Sequence, residues 1–125
     1  MLTANTQASQ QLRYQVQDQQ FSSENPRTGD SGLDCSGLTT AAYAAAGITL
    51  PRTAQTQYNA GPLLPSGAPL QPGDLVFYGT PSKVHHVAIY IGQGRIIHAP
   101  TFGQPVQIAS LNLMSDFVGA SRPAN

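Results

Sequence analysis

The sequence predicts an α+β domain, with helices packed on one face of an antiparallel sheet of about five strands. Helical signals crowd residues 35–60, while short β runs separated by glycine and proline turns fill residues 75–120. Size gives a third indication: 125 residues without an internal repeat suit one domain with its own core, so 1–125 reads as a single unit.

The elements follow in chain order. Residues 3–20 are polar and Gln-rich, with Leu12, Tyr14 and Val16 as their apolar positions. They predict a helix with a thin apolar stripe, laid onto a core formed by residues 33–120. Residues 22–32 are loop by composition. From Cys35 to Ala46 the chain is rich in Ala and Leu and stops at Gly47, which predicts a helix with a glycine C-cap. Thr53, just after Pro51, is the N-cap of a second short helix over 53–59. The stretch 61–73 holds four prolines and closes on the turn Gln71-Pro72-Gly73-Asp74, with Asp74 as a turn residue. Strands are predicted over 75–78, 87–91, 95–99, 106–109 and 117–120, with Gly92-Gln93-Gly94 as a tight hairpin.

Charge narrows the function classes. Six basic and six acidic residues give a formal net charge of zero. So few cations build no basic patch, which argues against nucleic acid or an anionic membrane as partner. No run of about 18 apolar residues is present, so no membrane-spanning helix is expected. Met1 to Asn5 carry neither a basic nor an apolar signal region. The expectation is a domain of a longer exported protein, or export by another route, with an extracytoplasmic place of action.

The chemistry centres on one cysteine. Cys35 stands at the start of the predicted helix 35–46, where unpaired N–H groups and the helix dipole favour a thiolate. A cysteine nucleophile needs a base, and the base needs an orienting partner. His85, His86 and His98 are the histidines, all in the β half. Strand alternation puts His86 on one face with Ala88 and Tyr90, and His85 on the other with Val87, Ile89 and Ile91. On that reading the face with small Ala88 leaves room for the start of the cysteine helix, favouring His86 over His85 as base. His98 falls on the strand paired through the hairpin and so comes near His86. A zinc site made of the same Cys35, His86 and His98 is the rival chemistry, but it lacks the usual ligand spacings. No metal or organic cofactor is expected.

Five segments in series resemble a known family. They are Asp34-Cys35-Ser36-Gly37-Leu38, Leu50-Pro51-Arg52-Thr53 with Gln57, Leu70-Gln71-Pro72-Gly73-Asp74-Leu75-Val76-Phe77, His86-Val87-Ala88-Ile89-Tyr90-Ile91-Gly92 and Ile97-His98-Ala99-Pro100. Together, over about residues 30–120, they resemble the NlpC/p60 cell-wall cysteine endopeptidases, which have a compact papain-like fold. The resemblance implies hydrolysis of peptidoglycan stem peptides at the D-γ-glutamyl–diaminopimelate bond. It gives Cys35 as nucleophile, His86 as base and His98 as orienting residue. Asp34, Ser36 and Arg52 become candidate substrate-binding residues. A monomer is expected, with an inhibitory or immunity partner in some settings.

One departure from the family pattern stands out. Members usually carry a Tyr-x-x-Gly-Gly segment about a dozen residues before the cysteine, whereas this chain reads Gln20-Phe21-Ser22-Ser23-Glu24-Asn25. With Phe21 at the tyrosine position, Tyr14 or the Cys35 backbone N–H would have to serve the oxyanion. The main rival function is a non-catalytic peptidoglycan-binding module. The same hydrolase used as a phage or conjugation lysin, or as an interbacterial toxin, keeps the chemistry and changes only the setting.

Overall fold

The computed structural model describes residues 35–45, 47–99 and 107–123. The expected N-terminal helix, Tyr14, Phe21 and Asp34 lie outside those residues. Two helices, α1 (Cys35–Ala45) and α2 (Ala54–Ala60), precede five strands. These are β1 (Leu75–Thr80), β2 (Lys83–Gly92), β3 (Arg95–His98), β4 (Gln107–Ser110) and β5 (Phe117–Ser121).

Local chemistry ends and starts the helices where the sequence marks them. Past α1, Gly47 takes φ +86°, its N–H reaches the Ala44 carbonyl, and the Ile48 N–H reaches that of Tyr43. Those two bonds close a Schellman cap, a conformation that favours glycine. Thr53 caps α2, exchanging bonds with Thr56: each hydroxyl accepts from the other residue's backbone N–H, at 3.1 and 3.0 Å.

The sheet is antiparallel throughout, in the order β4-β3-β2-β1-β5. The β2–β3 connection is a two-residue turn: Gly92 pairs with Arg95, while Gln93 and Gly94 both have positive φ, 58° and 73°. Leu75 to Tyr78 of β1 are all buried, because both faces of the sheet are covered. On one face Ala42, Tyr43 and Ala54 from the helices meet Leu75, Phe77, Val87, Ile89 and Ile97. On the other, Val76, Tyr78, Ala88, Ile96 and Ala120 lie under Leu64, Leu70, Leu111 and Met114.

This corrects the expectation drawn from strand alternation. The helices sit on the Val87–Ile89 face, not on the face of Ala88 and Tyr90. Nor does His85 join the aliphatic face; it stands in solvent. The cause is a bulge: Tyr78 pairs with His86 but Gly79 pairs with Val84, so β2 carries an extra residue there. Val84 and Val87, three residues apart, therefore both reach the helix-side core.

Asp74 is more than the turn residue expected from the sequence. It is fully buried, accepts the Gln71 N–H at 2.8 Å, and takes two 2.8 Å bonds from Arg122, one from Nε and one from the guanidinium end. Such a fork-on-fork pair fixes geometry as well as neutralising the charge. It ties the turn before β1 to the residue after β5.

Candidate active site

Cys35 opens α1, half-buried, and packs against the helix-side core that includes Val84. Ser36, next in the helix, is buried, and its hydroxyl accepts a 2.8 Å bond from a guanidinium nitrogen of Arg52. Two of the candidate binding residues are thus brought into contact with each other, beside the cysteine. Asp34 is outside the described residues.

His86 and His98 are both buried, and His86 Nε2 lies 3.0 Å from His98 Nδ1. Their rings stand at 90° with centroids 5.1 Å apart. The register pairs Ile89 with Ile97, which sets His98 across from Ala88 rather than directly across from His86. The bond therefore runs diagonally past a methyl side chain. Tyr78 completes the surroundings, its ring centroid 6.0 Å from that of His86.

This bond assigns the nitrogens. With Nε2 engaged by His98, Nδ1 is the His86 nitrogen left to take a proton from a thiol. For that, His86 must donate Nε2–H to His98 Nδ1, so His98 carries its own proton on Nε2. Among the described residues that buried Nε2 has no hydrogen-bond partner.

Burial pushes His86 down to about 4, with smaller contributions from His98 and His85 against an opposing pull from Asp116. Burial also lowers His98. Both rings are consequently neutral near neutral pH, the form a general base requires. The same shift bears on stability. Between the ordinary value of 6.5 and about 4, the unfolded chain takes up a proton that native His86 refuses, so stability falls as pH drops through that window. Relative to His86→Gln, the wild-type protein is expected to lose about 2–3 kcal/mol more between about pH 7.5 and about pH 4.5. Urea unfolding at the two pH values measures it, and equal losses in both proteins would contradict the burial argument.

His85, the other candidate base, points elsewhere. It is about half exposed and meets Asp116 at 2.6 Å. Hydrogen bonding by His85 is the main cause holding the Asp116 carboxyl below its ordinary value.

Beneath the cysteine lies a cluster that the sequence signalled only through Gln57 following the Leu50–Thr53 segment. Gln57 is buried and donates to the Pro51 carbonyl at 2.9 Å and to Thr40 Oγ1 at 3.2 Å, while accepting from Thr39 Oγ1 at 2.8 Å. A polar residue at a position where α2 should bury an apolar one was the available hint.

With this geometry in view, the family model described as NlpC/P60 matches residues 13–118. The chain belongs to the NlpC/P60 family. Among its relatives, the peptidoglycan endopeptidase RipA of Mycobacterium tuberculosis is 43% identical over 81 residues, covering 65% of this chain and 17% of RipA. A γ-D-glutamyl-L-lysine dipeptidyl-peptidase of Bacillus cereus is 40% identical over 101 residues, covering 76% of this chain and 30% of that protein. The chain thus spans less than a third of the length of either. The crystal structure of the P60 domain of antigen MAP1204 from M. avium subspecies paratuberculosis superposes with a TM-score of 0.79 at 26% identity. That likeness covers 97% of this chain and 98% of that one. The NlpC/P60 fold has here two described helices on a five-stranded antiparallel sheet.

Proposed function

We propose that this NlpC/P60 domain is a cysteine peptidase that hydrolyses peptidoglycan stem peptides, cutting the D-γ-glutamyl–diaminopimelate bond outside the cytoplasm. The 3.0 Å bond between His86 Nε2 and His98 Nδ1 carries the reading, since it leaves a neutral imidazole with Nδ1 free to serve a thiol. Cys35 at the head of α1 supplies the thiol, and the peptidase names of the relatives support the substrate class.

The reaction balances as two acyl transfers. His86 Nδ1 takes the proton of Cys35 Sγ, and sulfur attacks the amide carbon to form a tetrahedral oxyanion. Collapse breaks the C–N bond as the His86 imidazolium protonates the departing amine, leaving a thioester. Water then attacks, its proton goes to His86, and carboxylate and thiol are released. His98 accepts the Nε2–H throughout, which keeps the ring in one tautomer and orientation. Asp34, Ser36 and Arg52 flank the nucleophile as the proposed groove residues, with Ser36 acting through its bond to Arg52.

Digestion of defined muropeptides followed by mass analysis tests the proposal. The expected products are a fragment ending in D-glutamate at its γ-carboxyl and one beginning with a free diaminopimelate amine. Cleavage at the D,D cross-link would overturn the bond assignment. Specific binding of peptidoglycan with no new termini would favour the non-catalytic module.

A further inference from the structure

We propose that Gln57 is a positioning residue for Cys35, clamping the first turn of α1 together with Arg52. The inference rests on the reading of Cys35 as nucleophile and adds a residue to which that reading gives no role.

Donor and acceptor chemistry fixes which way the Gln57 amide points. The Pro51 and Ser36 carbonyls lie 2.9 and 3.3 Å from the same end of the Gln57 amide. Carbonyls only accept, so that end is the NH2 group and Oε1 faces Thr39. Gln57 Oε1 has no hydrogen to give, so the 2.8 Å contact is a bond from the Thr39 hydroxyl. That hydroxyl has one proton, which leaves its 3.0 Å approach to the Ser36 carbonyl secondary. Thr40 then makes the main side-chain bond to that carbonyl, at 2.7 Å, while its own oxygen accepts from Gln57 at 3.2 Å.

A relay results: Gln57 amide to Thr40 hydroxyl to Ser36 carbonyl, each donor strengthening the next. The second Gln57 proton holds the Pro51 carbonyl, which fixes the chain just before Arg52. Arg52 in turn grips the Ser36 hydroxyl. Residue 36 is therefore held twice, by its side chain through Arg52 and by its carbonyl through Thr40 and Gln57. The held carbonyl belongs to the Ser36–Gly37 peptide, one residue past Cys35, so the grip restrains the backbone of the first turn and with it the direction of the Cys35 side chain. Threonine hydroxyls bonded back to a helical carbonyl tend to bend a helix. The Gln57 carbonyl diverts the Thr39 hydroxyl from that role, and its NH2 group holds the Thr40 hydroxyl in the one strong back-bond that remains, next to the nucleophile.

Gln57→Met keeps the side-chain length and removes both donors and the acceptor. Thr40→Val removes the hydroxyl that accepts from Gln57 and donates to Ser36, while leaving the Gln57 bonds to Pro51 and Thr39 in place. Three readouts are needed: kcat and KM on a defined muropeptide, the pH profile of Cys35 alkylation by iodoacetamide, and the urea midpoint. For Gln57→Met the expected result is a kcat about a hundredfold lower with KM changed by no more than about twofold, since misplacement of about 1 Å costs that much. The alkylation midpoint should move to higher pH, because a loosened first turn stabilises the thiolate less. Thr40→Val should show the same pattern, weaker.

A lowered urea midpoint with unchanged kcat and an unchanged alkylation profile in both variants would overturn the proposal, leaving Gln57 a purely structural residue. Should Gln57→Met fail to fold, Thr40→Val decides alone. Alkylation needs no substrate, so it reports on Gln57 even if muropeptide cleavage fails. Cleavage surviving in Cys35→Ala would instead overturn the proposed function.

Discussion

Cys35→Ala and His86→Ala are each expected to abolish muropeptide cleavage, and His98→Ala to lower kcat by about 10²- to 10⁴-fold. Loss of a nucleophile or its base removes the covalent route, a change on the order of 10⁶-fold in enzymes built this way. Loss of the orienting residue leaves the base in place but frees it to adopt the wrong tautomer. His86 Nε2 would then lack its 3.0 Å partner, and the buried ring would be free to turn. Initial rates on a defined muropeptide, measured beside urea midpoints, separate lost chemistry from lost folding. A folded Cys35→Ala protein that still released product would remove Cys35 from its role.

Gly79→Ala is expected to destabilise the fold by about 3 kcal/mol or more, and to disable the site as well. Gly79 has φ +130°, and a Cβ there would stand 2.3 Å from the Lys83 carbonyl oxygen and 3.0 Å from both Val84 Cα and the His85 nitrogen. Every one of those atoms is backbone, so no rotamer change can relieve the clash. β2 would have to shift between Lys83 and His85, in the bulge that directs the next residue, His86. A lower urea midpoint together with a kcat reduced per folded molecule is the expected pair of results. An unchanged midpoint would mean that β2 gives way freely and that the bulge does not set the position of His86.

Much of this was legible in the chain because local chemistry dictated it. Alanine-rich helix, Gly47 cap and Thr53 cap each act within a few residues, and the helices fall within a residue of their expected limits. The Gly92–Gly94 turn likewise brings His98 near His86 through short-range pairing. Strand alternation failed where it was asked to choose a face. Both faces of the sheet are apolar and covered, so hydrophobicity carries no sign, and the bulge at His85 resets the count. Gln57 and Asp74 were hidden for another reason: their partners lie 18 and 48 residues away in sequence, at Thr39 and Arg122. Sequence spacing says little about such pairs until the chain is folded.

The Asp74–Arg122 clasp, with β5 alongside β1, also dictates when during synthesis the domain can form. Among the described strands β1 is made first and its second neighbour, β5, is made last, and Asp74 stays an uncompensated carboxylate until Arg122 arrives. A nascent chain halted after β4 would present the apolar edge Leu75 to Tyr78 bare to solvent, an invitation to pair with another chain. Completion is therefore tied to the final strand emerging, so that the pieces bearing Cys35, His86 and His98 are already made before the sheet that holds them closes.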